Sequence, residues 1–112
     1  MANVVIFIRS NPKESHRPCE GIRIALGLAA SDHHLDLIFC SDAPILLTEA
    51  VEDAIDSELA KQYLLNLKSF VSTFYIEKST ETRAFDGDYP TTFLSRNEIS
   101  KKIMSAASVM LF

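Results

Sequence analysis

Glycine is scarce in this chain, with three residues among 112. That scarcity removes the glycine-rich dinucleotide fingerprint and the P-loop, both of which need several glycines in one short stretch. No G-x-S-x-G elbow is present to present a serine nucleophile. Cysteine occurs twice, as Cys19 and Cys40, with no C-x-x-C pair and no Cys/His spacing that suits zinc. Basic clusters are missing too: "SKK" at 100–102 is the longest, in a chain of net charge −4 and pI near 5.3. An acidic surface repels phosphate backbones, so nucleic acid is not an expected partner. The opening "MANVVIFIRSN" reaches Arg9 after an apolar run too short for a signal h-region or a membrane span. The expectation is a cytoplasmic protein with no membrane partner, whose two thiols are free rather than bonded. Neither a cofactor nor a metal is expected.

What the chain does contain is a normal globular composition, 47% hydrophobic and 23% charged, in a length that suits one domain over residues 1–112. Val4 to Ile8 is an unbroken β-branched and aromatic run, the pattern of a strand buried on both faces. "RSNPKESHRP" reads as a loop, and residues 19–30 as a helix with a very wide apolar arc. Such an arc needs cover from a second element or from another subunit. Leu35 to Cys40 reads as the second strand. "SDAPILL" starts a helix, with Ser41 or Asp42 as cap and Pro44 in the first turn; where it breaks over 48–57 is open. Residues 56–70 read as a helix with Leu59, Tyr63, Leu67 and Phe70 on one side and Asp56 or Ser57 as cap. "VSTFYI" at 71–76 is the third strand, and "EKSTETR" a short helical turn. Residues 92–94 form the fourth strand. Ser95 and Glu98 fit a capping box for a helix over about 96–105, and "SVMLF" is the last strand. Strands alternating with helices predict a three-layer α/β/α fold with a five-stranded, mainly parallel sheet of flavodoxin-like type.

In such a sheet, ligands bind beyond the carboxyl ends of the strands. That places Arg9, Ser10, Asn11, Lys13, Glu14, His16 and Cys19 after the first strand. Cys40, Ser41 and Asp42 follow the second, and Glu77, Lys78, Ser79 and Thr80 the third. His33 and His34 precede the second strand, so they belong to the opposite edge and outside the site. Two readings of Cys19 stay open. A thiol at a helix N-terminus is favoured as thiolate by the dipole, helped by His16 and Arg17 and opposed by Glu20. The other reading is a small side chain packed under the loop. Cys40 ends an apolar strand and is expected to be buried. A Ser-His-Asp set drawn from Ser10 or Ser41, His16 and Asp42 is not selected by any spacing. Arg9, Ser10 and Asn11 are candidate donors to an anionic small molecule or nucleotide.

The strand "VVIFIRSNP", the run "EGIRIALGLAAS", the stretch "LDLIFCSDAPILL" and the later "FYIEKSTETRAF" resemble the DsrE/DsrF-like sulfur-relay proteins, most closely the DsrF or TusC branch. The resemblance spans nearly the whole chain. It implies a five-stranded parallel sheet, helices on both sides, and homo- or hetero-oligomers with subunits of the same kind. In the family's catalytic branch a cysteine just after the third strand accepts sulfur as a persulfide. Here Ile76-Glu77-Lys78 stands at that place, and Arg83-Ala84 replaces the usual Arg-Gly. The resemblance therefore implies a non-catalytic subunit or oligomeric binding module of a sulfur-relay system. The alternatives are a persulfide carrier acting through Cys19, or a small-molecule or nucleotide-binding module.

Overall fold

The computed structural model describes residues 3–78, 85 and 87–112. Within them the order is β1 (Asn3–Ile8), α1 (Arg17–Ala30), β2 (His34–Phe39), two 3-10 turns (Ala43–Leu47 and Glu49–Asp53), α2 (Ser57–Leu67), β3 (Phe74–Glu77), β4 (Thr91–Leu94), α3 (Arg96–Ser105) and β5 (Ser108–Leu111). The five strands form one sheet in the order β4-β3-β2-β1-β5, and every pair in it is parallel. The α/β class, the parallel sheet and the strand count agree with the sequence reading. The turn expected over 77–83 falls largely outside the described residues.

The unbroken apolar run of β1 is explained by cover on both sides. Val4, Ile6 and Ile8 belong to the larger core with residues of α1 and α2. Val5 points the other way, into a smaller core with Ile38, Leu94 and Ile99 of α3. Side chains alternate along a strand, so one apolar stretch serves two layers. The wide apolar arc of α1 is met by α2, which packs against it.

Three local readings need correction. Helix α2 buries Ala60, Leu64 and Leu67, whereas Leu59 is 45% and Phe70 53% exposed. The buried set follows the i, i+4, i+7 row, and Ala60 rather than Leu59 faces inward where the helices meet. Phe70 falls beyond the last helical residue, in the turn that follows. The third strand starts at Phe74, not Val71, because it pairs with its neighbours only from there on. The stretch after β2 never becomes an α-helix. Thr48, in extended backbone, separates two 3-10 turns and caps the second by accepting from Ala50 N–H. Asp42 occupies the cap position of the first turn without a side-chain cap bond. The capping box at Ser95 and Glu98 forms as its sequence spacing indicates. Its bonds hold the Glu98 carboxyl below its ordinary range, with Lys78 assisting. No helix among the described residues is long and apolar enough to cross a membrane.

Candidate functional site

The parallel sheet delivers the tips of β1, β2 and β3 to one rim. Cys40 lies at its centre. Its N–H donates to Ile8 O at 2.9 Å, and its thiol leans toward the same oxygen at 3.6 Å. Burial pushes this thiol up to about 11, and the Glu77 carboxylate adds to the rise. A hydrogen bond from Ser41 and the positive charge of Arg9 act the other way, without cancelling it. Arg9, Cys40, Ser41 and Glu77 thus share one electrostatic neighbourhood, although they come from three strands. Ser41 has φ 56°, the left-handed region that costs a non-glycine residue on the order of 1 kcal/mol.

Lys78 belongs elsewhere. Its N–H donates to Leu94 O at 2.9 Å, and its charge acts on Glu98 at the start of α3. Of the expected anion donors, the backbone N–H groups of Arg9 and Ser10 both donate to Phe112 O, at 2.8 and 3.2 Å. Asn11 uses its side-chain oxygen locally, accepting from Lys13 N–H at 3.0 Å. The Phe112 ring closes this corner by lying on Gly21. A Cβ there would stand 2.9 Å from the ring, so α1 needs a glycine at the point of contact. Arg17 completes the tie by donating to Leu111 O at 3.2 Å.

A second group gathers where α1 begins. His16 Nδ1 meets Asp56 Oδ2 at 3.0 Å, across forty positions of sequence. The backbone clamps the same two loops together, Ile55 N–H donating to Pro12 O at 2.8 Å. Cys19 sits in the first turn of α1 and is 7% exposed. Its thiol is raised, not lowered: burial comes first, then the negative charges of Asp56 and Glu20, with Arg23 opposing. The helix dipole favours a thiolate, but desolvation and two carboxylates outweigh it here. Arg23 is itself held by Glu20 at 2.7 Å, so its charge is already engaged.

Asp56 is the participant whose role local pattern does not show. Local pattern offers Asp56 or Ser57 as the cap of α2, and Asp56 holds that position. With φ 58° it makes no side-chain cap bond and turns its carboxylate to His16. A pairing over that distance leaves no local spacing to read. The carboxyl edge therefore holds two small polar groups, one around each thiol, rather than one continuous site.

His33 and His34 lie at the amino edge, as expected. His34 is the first residue of β2 rather than preceding it, and its Nε2 stands 3.5 Å from Asp36. Lys102 approaches the same carboxylate at 3.5 Å. A concavity of about 480 Å³ opens between the 3-10 turns and α2, bounded by Leu46, Val51, Leu65 and Tyr89. Lys61 reaches into its wall, where Glu52 and Glu58 hold it. No pattern in the sequence indicated it, because its residues come from three separate stretches. Among the described residues no three His, Cys, Asp or Glu side chains are placed to hold a metal ion.

No protein-family model matches the chain, and no curated protein sequence matches it. Its architecture does have a solved counterpart: the chain and the E. coli YchN protein, known from a crystal structure, align over 100% of both at 21% identity with a TM-score of 0.78, and the fold is of DsrE/DsrF-like type.

Proposed function

We propose that this chain is a non-catalytic subunit or oligomeric binding module of a sulfur-relay system of the DsrE/DsrF kind. The fold supports the kind of protein, and the state of the thiols supports its role. The carrying observation is that both cysteines are buried and both are pushed toward the protonated form. A persulfide acceptor needs a thiolate within reach of its donor. Where the family's catalytic branch has its acceptor, this chain has Glu77 and Lys78.

The alternative of a carrier acting through Cys19 has one observation in its favour, the His16–Asp56 pair beside the start of α1. The charge of Asp56 works against it by disfavouring the thiolate. A nucleotide or other anion at the rim is less well supported, because Arg9 and Ser10 N–H already donate to Phe112 O.

The test is incubation with a cysteine desulfurase and labelled cysteine, followed by mass analysis of each cysteine. Neither Cys19 nor Cys40 should gain sulfur when the chain is alone. When a subunit bearing the family's acceptor cysteine is added, this chain should bind it and increase sulfur loading there. Stable label on Cys19 replaces this reading with the carrier, and absence of any effect on the second subunit removes the relay role.

A further inference from the structure

Thr48 shapes the surface beside α2. Its extended backbone breaks the stretch after β2 into two 3-10 turns. Between those turns and α2 the surface sinks into the cavity of about 480 Å³. Clefts of about 300–1,000 Å³ are the size that takes a small organic molecule.

Part of the wall is apolar. Leu46 is buried, Val51 and Tyr89 are half-buried, and Leu65 stands 55% exposed at the mouth. An apolar body seated here removes that surface from water, which is favourable.

The polar part of the wall is Thr48, Glu49, Glu52 and Lys61. Thr48 is engaged by the turns: its hydroxyl donates to Ile45 O at 2.7 Å and accepts from Ala50 N–H at 3.1 Å. Lys61 is engaged by two carboxylates, Glu52 in direct contact and Glu58 at 3.7 Å. Lys68 is engaged too, with Nζ 5.5 Å from the centroid of the Tyr89 ring. Glu49 differs from all of these. It is exposed, and no cation among the described residues pairs with it.

Charge therefore selects the ligand. An anion finds no uncommitted ammonium in the wall and is repelled by Glu49. A neutral molecule gains from the apolar wall alone. A cation gains from that wall and from Glu49 together.

We propose that this cavity binds a small organic cation, an amine carried on an aromatic or branched apolar body. The body lies against Leu46, Val51, Leu65 and Tyr89, and the ammonium faces Glu49. Neither cysteine lines the cavity, so the inference goes beyond the sulfur-relay reading and does not depend on it.

Three probes with one aromatic body and different heads test it: phenethylamine, phenethyl alcohol and hydrocinnamate. Titration followed by amide NMR reads both affinity and location. The amine should shift the signals of Val51, Glu52 and Leu65 in a saturable way. It should bind about fivefold more tightly than the alcohol, and the acid more weakly than either. Glu49→Gln, at an exposed position, should remove the advantage of the amine and leave the alcohol unchanged. Asp32→Asn takes away a carboxylate outside the cavity and should change neither. If none of the probes moves the cavity signals, the site is overturned. Equal binding of amine and alcohol, tighter binding of the acid, or full amine affinity in Glu49→Gln overturns the selection of a cation.

Discussion

Replacing Phe74 by alanine should destabilise the fold by about 3–5 kcal/mol, as measured by urea unfolding. Phe74 is fully buried and stands between two other rings. Its centroid is 6.1 Å from Phe39 and 5.7 Å from Tyr89, which meets it edge-on. The substitution removes the ring's transfer energy, leaves a cavity under α2, and breaks two aromatic contacts worth about 0.5–1.5 kcal/mol each. A domain of this size has roughly 5–15 kcal/mol in all, so the transition midpoint should fall steeply. Phe74 is also the first residue of β3, which carries Glu77 to the rim. A loss below about 1 kcal/mol would mean that this ring is not central to the core.

Folding stability should fall between about pH 9 and pH 11, and Cys40→Ala should remove a share of that fall. The folded thiol sits at about 11 against an ordinary 9.0. Below the ordinary value both states are protonated, and the contribution of the buried thiol is complete. Above it the unfolded chain releases its proton first, so stability declines until the folded thiol also ionises. Two units at about 1.4 kcal/mol each give about 3 kcal/mol for this one group. Lysines and tyrosines titrate in the same range, but they do so equally in both proteins. Urea unfolding of each at about pH 8 and about pH 11 isolates the difference. If the two proteins lose the same stability over that interval, Cys40 is not held protonated by the fold.

The fold was legible because it rests on local pattern. The double-sided burial of Val4 to Ile8, the capping box at Ser95 and Glu98, and the alternation of strands and helices each need only a short window of sequence. They set the layers and the rim. Where the reading slipped, the deciding contact was remote. Ala60 rather than Leu59 faces inward because of how α2 meets α1, which the sequence of α2 does not contain. Asp56 looked like a cap because capping is local, yet its partner His16 lies forty positions away.

The rim itself was partly foreseen. Arg9, Ser41 and Glu77 do come together around Cys40, as their places after three parallel strands require. Lys78 turns instead to α3, since the parallel pairing of β3 with β4 draws it there. The thiol of Cys19 lies at the start of α1, and of its two readings the geometry favours the buried one. Helix position suggested a lowered value, and the charges that reverse it include Asp56, which only the folded chain brings near. The hold of Phe112 O on the Arg9 and Ser10 N–H groups depends on β5 pairing with β1, which no short window of sequence shows.

Alkylation of the folded chain with iodoacetamide at neutral pH, resolved by site, asks most directly whether the rim holds any activated thiol. Cys40 should react at least about 100-fold more slowly than the same thiol in the urea-unfolded chain, since two pKa units remove that much thiolate. Cys19 should also be slower folded than unfolded, and neither should be faster. A Cys19 that labels in the folded chain as fast as it does unfolded, or faster, contradicts the picture of two protected thiols and of a module that binds sulfur carriers without being one.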